Sequence, residues 1–509
     1  MDLDTVKSDL VTREFLAVVL AGFGNELLPL TNDHGDEPCP KALLPVANKP
    51  MIEYTLIWLE QSGIKDVLLI CPSMHRPAIY HHIHSDVTTS ALRIDLQTYD
   101  ESQDSGVGTC TLLRQFAPRI TGDFVLVPCD FVPPPSLPLS VLLNKFRVDS
   151  VSDGALATTC WYESHKPEKN ASPEEWGPIA SPTLIIWDDL SGTLLHIDTP
   201  DDVDRNVDEV ELRMSMLSQY PKTKLSSKFQ DSHVYVCRSS VIRILQEKPH
   251  LDSFREEFLP WLCKIQYQKT KREKYKKALY ADSNVSSQHL ALEHSTLLPH
   301  SDVNQVNARS TLSMPPSPTE EDEMKDHSAS LRVGITIRRA DAGFAIRVNS
   351  IHNFLEINRR FLSGTTYALP LDPKNRSLID QKAQISSDTI IGDSTQVSER
   401  TTIKKSVIGR HCIIGKMAKI VGCVVLDHCV IEDGVKLDGC ILGKNTKVGS
   451  KAELSRCVTQ AGYEVSPGET VKGEKLDVSD WTAAPEENTD DEQDEEDGSD
   501  ETDDSDDVK

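Results

Sequence analysis

Residues 391–442 read IGDSTQVSERTTIKKSVIGRHCIIGKMAKIVGCVVLDHCVIEDGVKLDGCIL, and stepping through them by six, six and five residues meets an aliphatic side chain each time. Ile391, Val397 and Ile403 form the first set; Ile408, Ile414 and Ile420 the second; Val425, Ile431 and Leu437 the third; Leu442, Val448 and Leu454 continue the pattern. Every position lies 17 residues from its counterpart. Such steps share no single face of an α-helix. A hexapeptide rhythm with glycine beside the aliphatic residue is instead the signature of a β-helix, in which one aliphatic side chain per face fills a triangular core and small residues turn the corners. The same period relates Cys412 to Cys429 and Cys423 to Cys440 and Cys457, predicting packed columns of thiols at the strand spacing of about 4.8 Å. Val465 and Val471 extend two columns into a degenerate fifth coil.

Upstream the rhythm changes. Phe15 to Leu20, Val67 to Ile70, Leu92 to Leu96 and Phe124 to Val127 are short Val-, Ile- and Leu-rich runs, as buried parallel strands are. Helical patterns at Met51 to Ser62, Arg76 to Ser85 and Gly108 to Ala117 separate them, which predicts a doubly wound α/β domain. From Gln266 to about Leu331 the sequence turns Lys-, Ser-, His- and Pro-rich, predicting a disordered insertion. Order is expected to resume at Val333, with a helix capped by Asn349 or Ser350 and running through Phe361. The resulting partition is an extension over 1–14, the α/β domain over 15–265, the insertion over 266–332, a connecting helix segment over 333–370, the β-helix over 371–478 and an acidic tail over 479–509.

At 509 residues and a net charge of −25 the chain holds two or three cores and presents no nucleic-acid-binding surface. Residues 481–509 carry 15 carboxylates against one lysine, and a stretch so poor in apolar residues reads as a solvated tail. No apolar run approaches the roughly 18 residues of a membrane span, and the start lacks a signal-peptide core, so a cytosolic protein is expected. The 12 cysteines form no CxxC pair and read as reduced, buried thiols.

After the first strand comes Gly22-Phe23-Gly24-Asn25-Glu26, then Pro40-Lys41-Ala42-Leu43-Leu44-Pro45-Val46 and Asn48-Lys49-Pro50-Met51. A glycine turn closing a first strand lets backbone N–H groups approach phosphate oxygens. With the PKxLLPVxNKP segment behind it, this resembles the sugar-phosphate nucleotidyltransferases. The resemblance implies a vestigial nucleotide pocket of Gly22, Gly24, Lys41, Gly108, Thr109 and Asp130: Lys41 stands at the phosphate-activating lysine, Asp130 at the first metal aspartate, and Gly108-Thr109 at the segment that contacts the base. An arginine of that family is replaced by Glu26, an anion where a triphosphate needs a cation. Asp198, in HIDTPD, precedes the strand expected at Val234 to Cys237 instead of following it, and so reads as a turn residue; one lone carboxylate makes no two-metal site. His81, His82 and His84 lack i, i+4 ligand spacing and read as a polar helix face.

An α/β nucleotidyltransferase-like domain followed by a left-handed β-helix is shared by ADP-glucose and GDP-mannose pyrophosphorylases. It also occurs in the gamma and epsilon subunits of the guanine-nucleotide exchange factor acting on eukaryotic translation initiation factor 2. The degenerate loop, the insertion, the Asn349–Arg359 helix and Ser253–Lys264 most resemble the gamma-subunit branch; the expected absence of a helical-repeat domain after the β-helix separates the chain from epsilon. The resemblance implies a non-catalytic subunit with no catalytic residue, metal or cofactor. Its implied partners are the epsilon subunit, the alpha, beta and delta regulatory subunits, and initiation factor 2 through its GTP-binding gamma subunit, with no membrane and no direct nucleic-acid contact. A divergent pyrophosphorylase, or a regulatory subunit of one, is the alternative.

Overall fold

The computed structural model describes residues 14–33, 38–85, 91–100, 106–134, 136–152, 154–163, 183–199, 212–280, 331–364 and 373–477. Ten strands form one mixed sheet: β1 (Phe15–Leu20), β2 (Asp66–Pro72), β3 (Arg93–Tyr99), β4 (Asp123–Pro128), β5 (Ala157–Glu163), β6 (Ile185–Asp188), β7 (Thr193–Ile197), β8 (Thr223–Ser226), β9 (Phe229–Cys237) and β10 (Val333–Arg338). Their order is β8-β6-β7-β10-β5-β9-β4-β1-β2-β3. β1 lies parallel to β2 and β4, and β9 runs antiparallel to β4 and β5. Strand alternation sends Ala17 and Val19 to one apolar layer and Val18 to the other. The first layer is closed by α1 (Met51–Gln61), α2 (Arg76–Ile83) and α4 (Leu139–Ser152). The second is closed by α3 (Thr109–Gln115), α6 (Ser240–Glu247) and α7 (Leu259–Ile265), with α5 (Met214–Gln219) outside both.

Two departures from the sequence reading concern residues 266–370. Gln266 is buried: its amide donates to the Leu194 carbonyl at 2.7 Å and accepts from Val333 N, so it pins α7 to β7 and β10. A helix, α8 (Lys269–Tyr280), follows where disorder was expected. Its charged sequence offers no aliphatic stripe; the anchor is Tyr275, edge-on to Trp261 at 5.3 Å, with the Lys248 ammonium over both rings. The second departure is β10, an interior strand between β5 and β7 where only a connecting segment was expected. The chain beyond residue 330 therefore returns to the first sheet before α9 (Ile351–Gly364) begins. Ser350 caps that helix, its hydroxyl accepting from Asn353 N at 3.1 Å. Residues 281–330, the start through residue 13 and the acidic tail lie outside the described residues.

The β-helix rises in three parallel sheets whose register is the 17-residue period: Ile391 pairs with Ile408, Val397 with Ile414, and Ile403 with Ile420. The first face is built from Gln384–Ile385, Thr402–Lys404, Lys419–Val421, Lys436–Asp438, Glu453–Ser455 and Thr470–Lys472; the second from Ile390–Ile391, Val407–Ile408, Val424–Val425, Ile441–Leu442, Val458–Thr459 and Lys475–Leu476. Gln396–Val397, Ile413–Ile414, Val430–Ile431, Lys447–Val448 and Glu464–Val465 make the third. Both cysteine columns are buried. At Gly409 a Cβ would stand 2.6 Å from the Leu426 carbonyl carbon of the next coil, so only glycine fits beside Ile408.

On the second face the outward residues are apolar as well. Val407, Val424, Ile441 and Val458 are buried against Ile351, Phe354 and Leu355 of α9 and against Leu27, Leu30 and Leu44 of the α/β domain. The Ala47–Asn48 turn, left-handed at both residues, enters this interface. Ala47 N donates to Asn358 Oδ1 at 2.8 Å, Asn48 Nδ2 donates to the Ile408 carbonyl at 2.7 Å, and Arg410 donates back to the Asn48 carbonyl.

Candidate functional site

A cavity of about 380 Å³ opens at the carboxyl ends of β1 and β4, where ligands of open α/β sheets are bound. Gly22 to Asn25 form one wall; Lys41, Thr109 and Asp130 line it, together with His233, Tyr235, Arg255, Arg347 and Asn349. Gly24 holds φ 88°, and a Cβ there would strike the Lys41 side chain at 2.9 Å, so glycine lets the loop lie on Lys41. The Thr31 hydroxyl fixes the same loop through the Gly24 carbonyl at 3.0 Å.

Three residues of the sequence reading fall elsewhere. Glu26 is exposed and is not among the residues that line the cavity. Gly108 is packed on Asp252, whose Cγ would be 2.2 Å from an added Cβ. Cys110 N donates to the Asp252 carbonyl, and Thr109 Oγ1 accepts from Phe254 N at 2.8 Å, so the start of α3 is tied to protein. Asp198 directly follows β7, with three strands between that strand and β4, and does not line the cavity. His82 stands 3.2 Å from Glu53, and His84 stacks on Tyr80.

The centre of the site is Asp130. Its turn after β4 leads into Phe131–Val132, which pairs antiparallel with Ile346–Arg347, and Val348 N donates to the Asp130 carbonyl at 2.8 Å. That ladder delivers Arg347 Nε to both carboxylate oxygens at 3.0 and 3.2 Å. Lys41 Nζ donates to Asp130 Oδ2 and to Asn349 Oδ1. Burial alone raises a carboxyl, but Arg347 and then Lys41 outweigh it and hold Asp130 well below the usual carboxylate range. His233 sits at φ 56° in a β-bulge; burial, then Arg347 and Arg255, keep its imidazole neutral. Beside it Asp231 accepts from the Tyr235 hydroxyl at 2.7 Å and from Arg255 at 2.9 Å.

Chemically this is a closed set. A carboxylate bearing two cations cannot also ligate a divalent ion unless it releases them, and a locked, ionised Asp130 transfers no proton near neutral pH. Among the described residues no group of three or more His, Cys, Asp or Glu side chains could hold a metal, and no helix is long and apolar enough to cross a membrane. Arg347 and Asn349 went unread as site residues because they lie on the far side of the insertion; the signal was an arginine at the end of the segment where order resumes.

Residues 16–168 match the Nucleotidyl transferase family, and residues 373–471 match the EIF2B subunit epsilon LbH domain. The gamma subunit of translation initiation factor eIF2B from Schizosaccharomyces pombe is 30% identical over 468 residues, covering 91% of this chain and 90% of the relative. Its counterpart from Dictyostelium discoideum is 22% identical over 416 residues, 74% of this chain and 84% of the relative. A putative UTP–glucose-1-phosphate uridylyltransferase of Methanocaldococcus jannaschii is 42% identical over 53 residues, 10% of this chain and 17% of the relative. The two-domain fold, and similarity running through nine-tenths of both chains, lead to one family: the chain belongs to the gamma subunits of translation initiation factor eIF2B.

Proposed function

We propose that this chain is the non-catalytic gamma subunit of a cytosolic exchange complex: that it pairs with an epsilon subunit, joins alpha, beta and delta subunits, and promotes GDP release from initiation factor 2. The supporting observation is Asp130, whose charge is taken by Lys41 and Arg347 of its own chain. On this reading the cavity bounded by Gly22, Gly24, Lys41, Thr109 and Asp130, with Gly108 behind it, is a remnant nucleotide pocket in which internal cations stand where a metal and phosphates would be. Selection then acts on outer surfaces, and the subunit contributes by holding the substrate protein. Uniform binding of this kind lowers the apparent KM, whereas an interaction made only in the nucleotide-releasing state raises kcat.

The test is GDP release from initiation factor 2 by epsilon alone, by this chain alone and by both together, over a range of substrate concentrations. Little release by this chain and a lowered KM in the mixture are expected. Release by this chain equal to that of epsilon, or no change on mixing, would overturn the assignment. In a parallel assay, sugar-nucleotide synthesis abolished by Asp130→Ala would establish the pyrophosphorylase alternative.

A further inference from the structure

In a chain of net charge −25, residues 400–426 contain six cations, Arg400, Lys404, Lys405, Arg410, Lys416 and Lys419, and no carboxylate. The β-helix places most of them together. Thr402 is in register with Lys419, and Lys419 with Lys436, so the first face and its corners carry Arg400, Lys404, Lys405, Lys416, Lys419 and Lys436, all exposed. Lys416 reaches Glu399 and Lys436 reaches Glu453, both at the surface. Arg400, Lys404 and Lys419 make no ion pair among the described residues. Two lysines side by side in neighbouring strands repel each other, a cost that the fold itself does not require.

We propose that this basic face is the docking site of the chain's own acidic stretch, residues 481–509, held by charge. The stretch carries 15 carboxylates against one lysine. The last described strand of the β-helix before it is Lys475–Leu476, on the second face, so the stretch must reach back around one corner of the coil. Residues 478–509 can span up to about 100 Å, whereas four coils back to Arg400 and Lys404 is about 20 Å. Tethering also sets an effective concentration on the order of millimolar, enough for contacts that would be weak between separate molecules. A nucleic acid is the poorer occupant, because the strongly negative net charge opposes its approach. Docking screens the face from other polyanions, and an acidic partner reaches it only by displacing the tail.

The experiment is zero-length carbodiimide cross-linking of the full chain, read by mass spectrometry on isotope-mixed protein. Cross-links from Lys404 and Lys419 to acidic residues of 481–509 within one chain are expected. They should fall roughly tenfold at about 0.5 M salt, where the screening length is only about 4 Å. The Arg400→Glu, Lys404→Glu, Lys419→Glu variant should lose the remaining tail links to this face, through Lys405, Lys416 and Lys436, while melting at the unchanged temperature, since all three side chains are exposed. Absence of these links, their spread in equal measure to Lys271 and Lys274 of α8, or their formation only between chains overturns the proposal. So does uptake of a short single-stranded RNA by the intact chain that the triple variant loses.

Discussion

Asp130 shows how a carboxylate in a cavity can be engaged by cations of its own chain. The carboxylate is buried, ionised and shared between Lys41 and Arg347. Removing its charge leaves the buried Lys41 ammonium facing the partly buried Arg347 guanidinium with no anion between them, at a cost of about 3 kcal/mol. Asp130→Asn should lower stability by that order in denaturant titration, and by clearly less in an Arg347→Met background, with a coupling above about 1 kcal/mol. Additive effects would show that the ion cluster is not the unit described. His233 makes a second, pH-dependent test. Its folded pKa lies well below the ordinary 6.5, so it is the unfolded chain that takes up a proton as pH falls. The neutral imidazole therefore favours folding above about 6.5, and stability drops by up to about 1.4 kcal/mol per pH unit below it. His233→Asn keeps a residue tolerant of positive φ and should remove that part of the slope between about pH 6.5 and 5. An unchanged slope would place the titration elsewhere.

At the scale of elements, the β-helix allows a comparison within a single strand. Ile413 and Ile414 are neighbours of the same type, but Ile413 is 49% exposed on the third face and Ile414 is fully buried in its column. Ile414→Asp puts an unpaired carboxylate in an apolar core and should cost more than about 3 kcal/mol, whereas Ile413→Asp should cost under about 1 kcal/mol. Equal melting temperatures for the two variants would refute the register. This register was legible in advance because the partner of every coil residue is 17 positions away, so a long-range structure is written as a local period. What was not legible was helix α8, whose attachment depends on one tyrosine, one tryptophan and a lysine, a cluster without any period. Strand β10 escaped for another reason: only the sheet it joins distinguishes VGITIR from a free-standing segment.

For the whole molecule, the union of the two domains rests on the second face of the β-helix and on α9. Ile441 is buried and outward-facing there, so Ile441→Glu should open the interface without unfolding the coils. The expected readouts are a larger radius in solution scattering and lost amide protection over α9, with protection of the buried columns retained. A variant that stays as compact and protected as the parent would mean that the domains are held together by other contacts.

By itself the sequence determined the coil register, the glycine loop and the lysine and aspartate that meet in the cavity, because periodicity and short motifs are properties of neighbouring residues. It also held, unread, a clue to the interface: on the second face four successive coils place an apolar residue outside, Val407, Val424, Ile441 and Val458, whereas the third face does so at Ile413 and Val430 alone among its described strands. The tertiary structure alone decided what Asp130 touches. Arg347 lies 217 residues from it, and the Phe131–Val132 and Ile346–Arg347 ladder that joins them is two residues long on each side. Pairing that short leaves no pattern in a sequence; it forms because the sheet and α9 have already brought both segments to the same place.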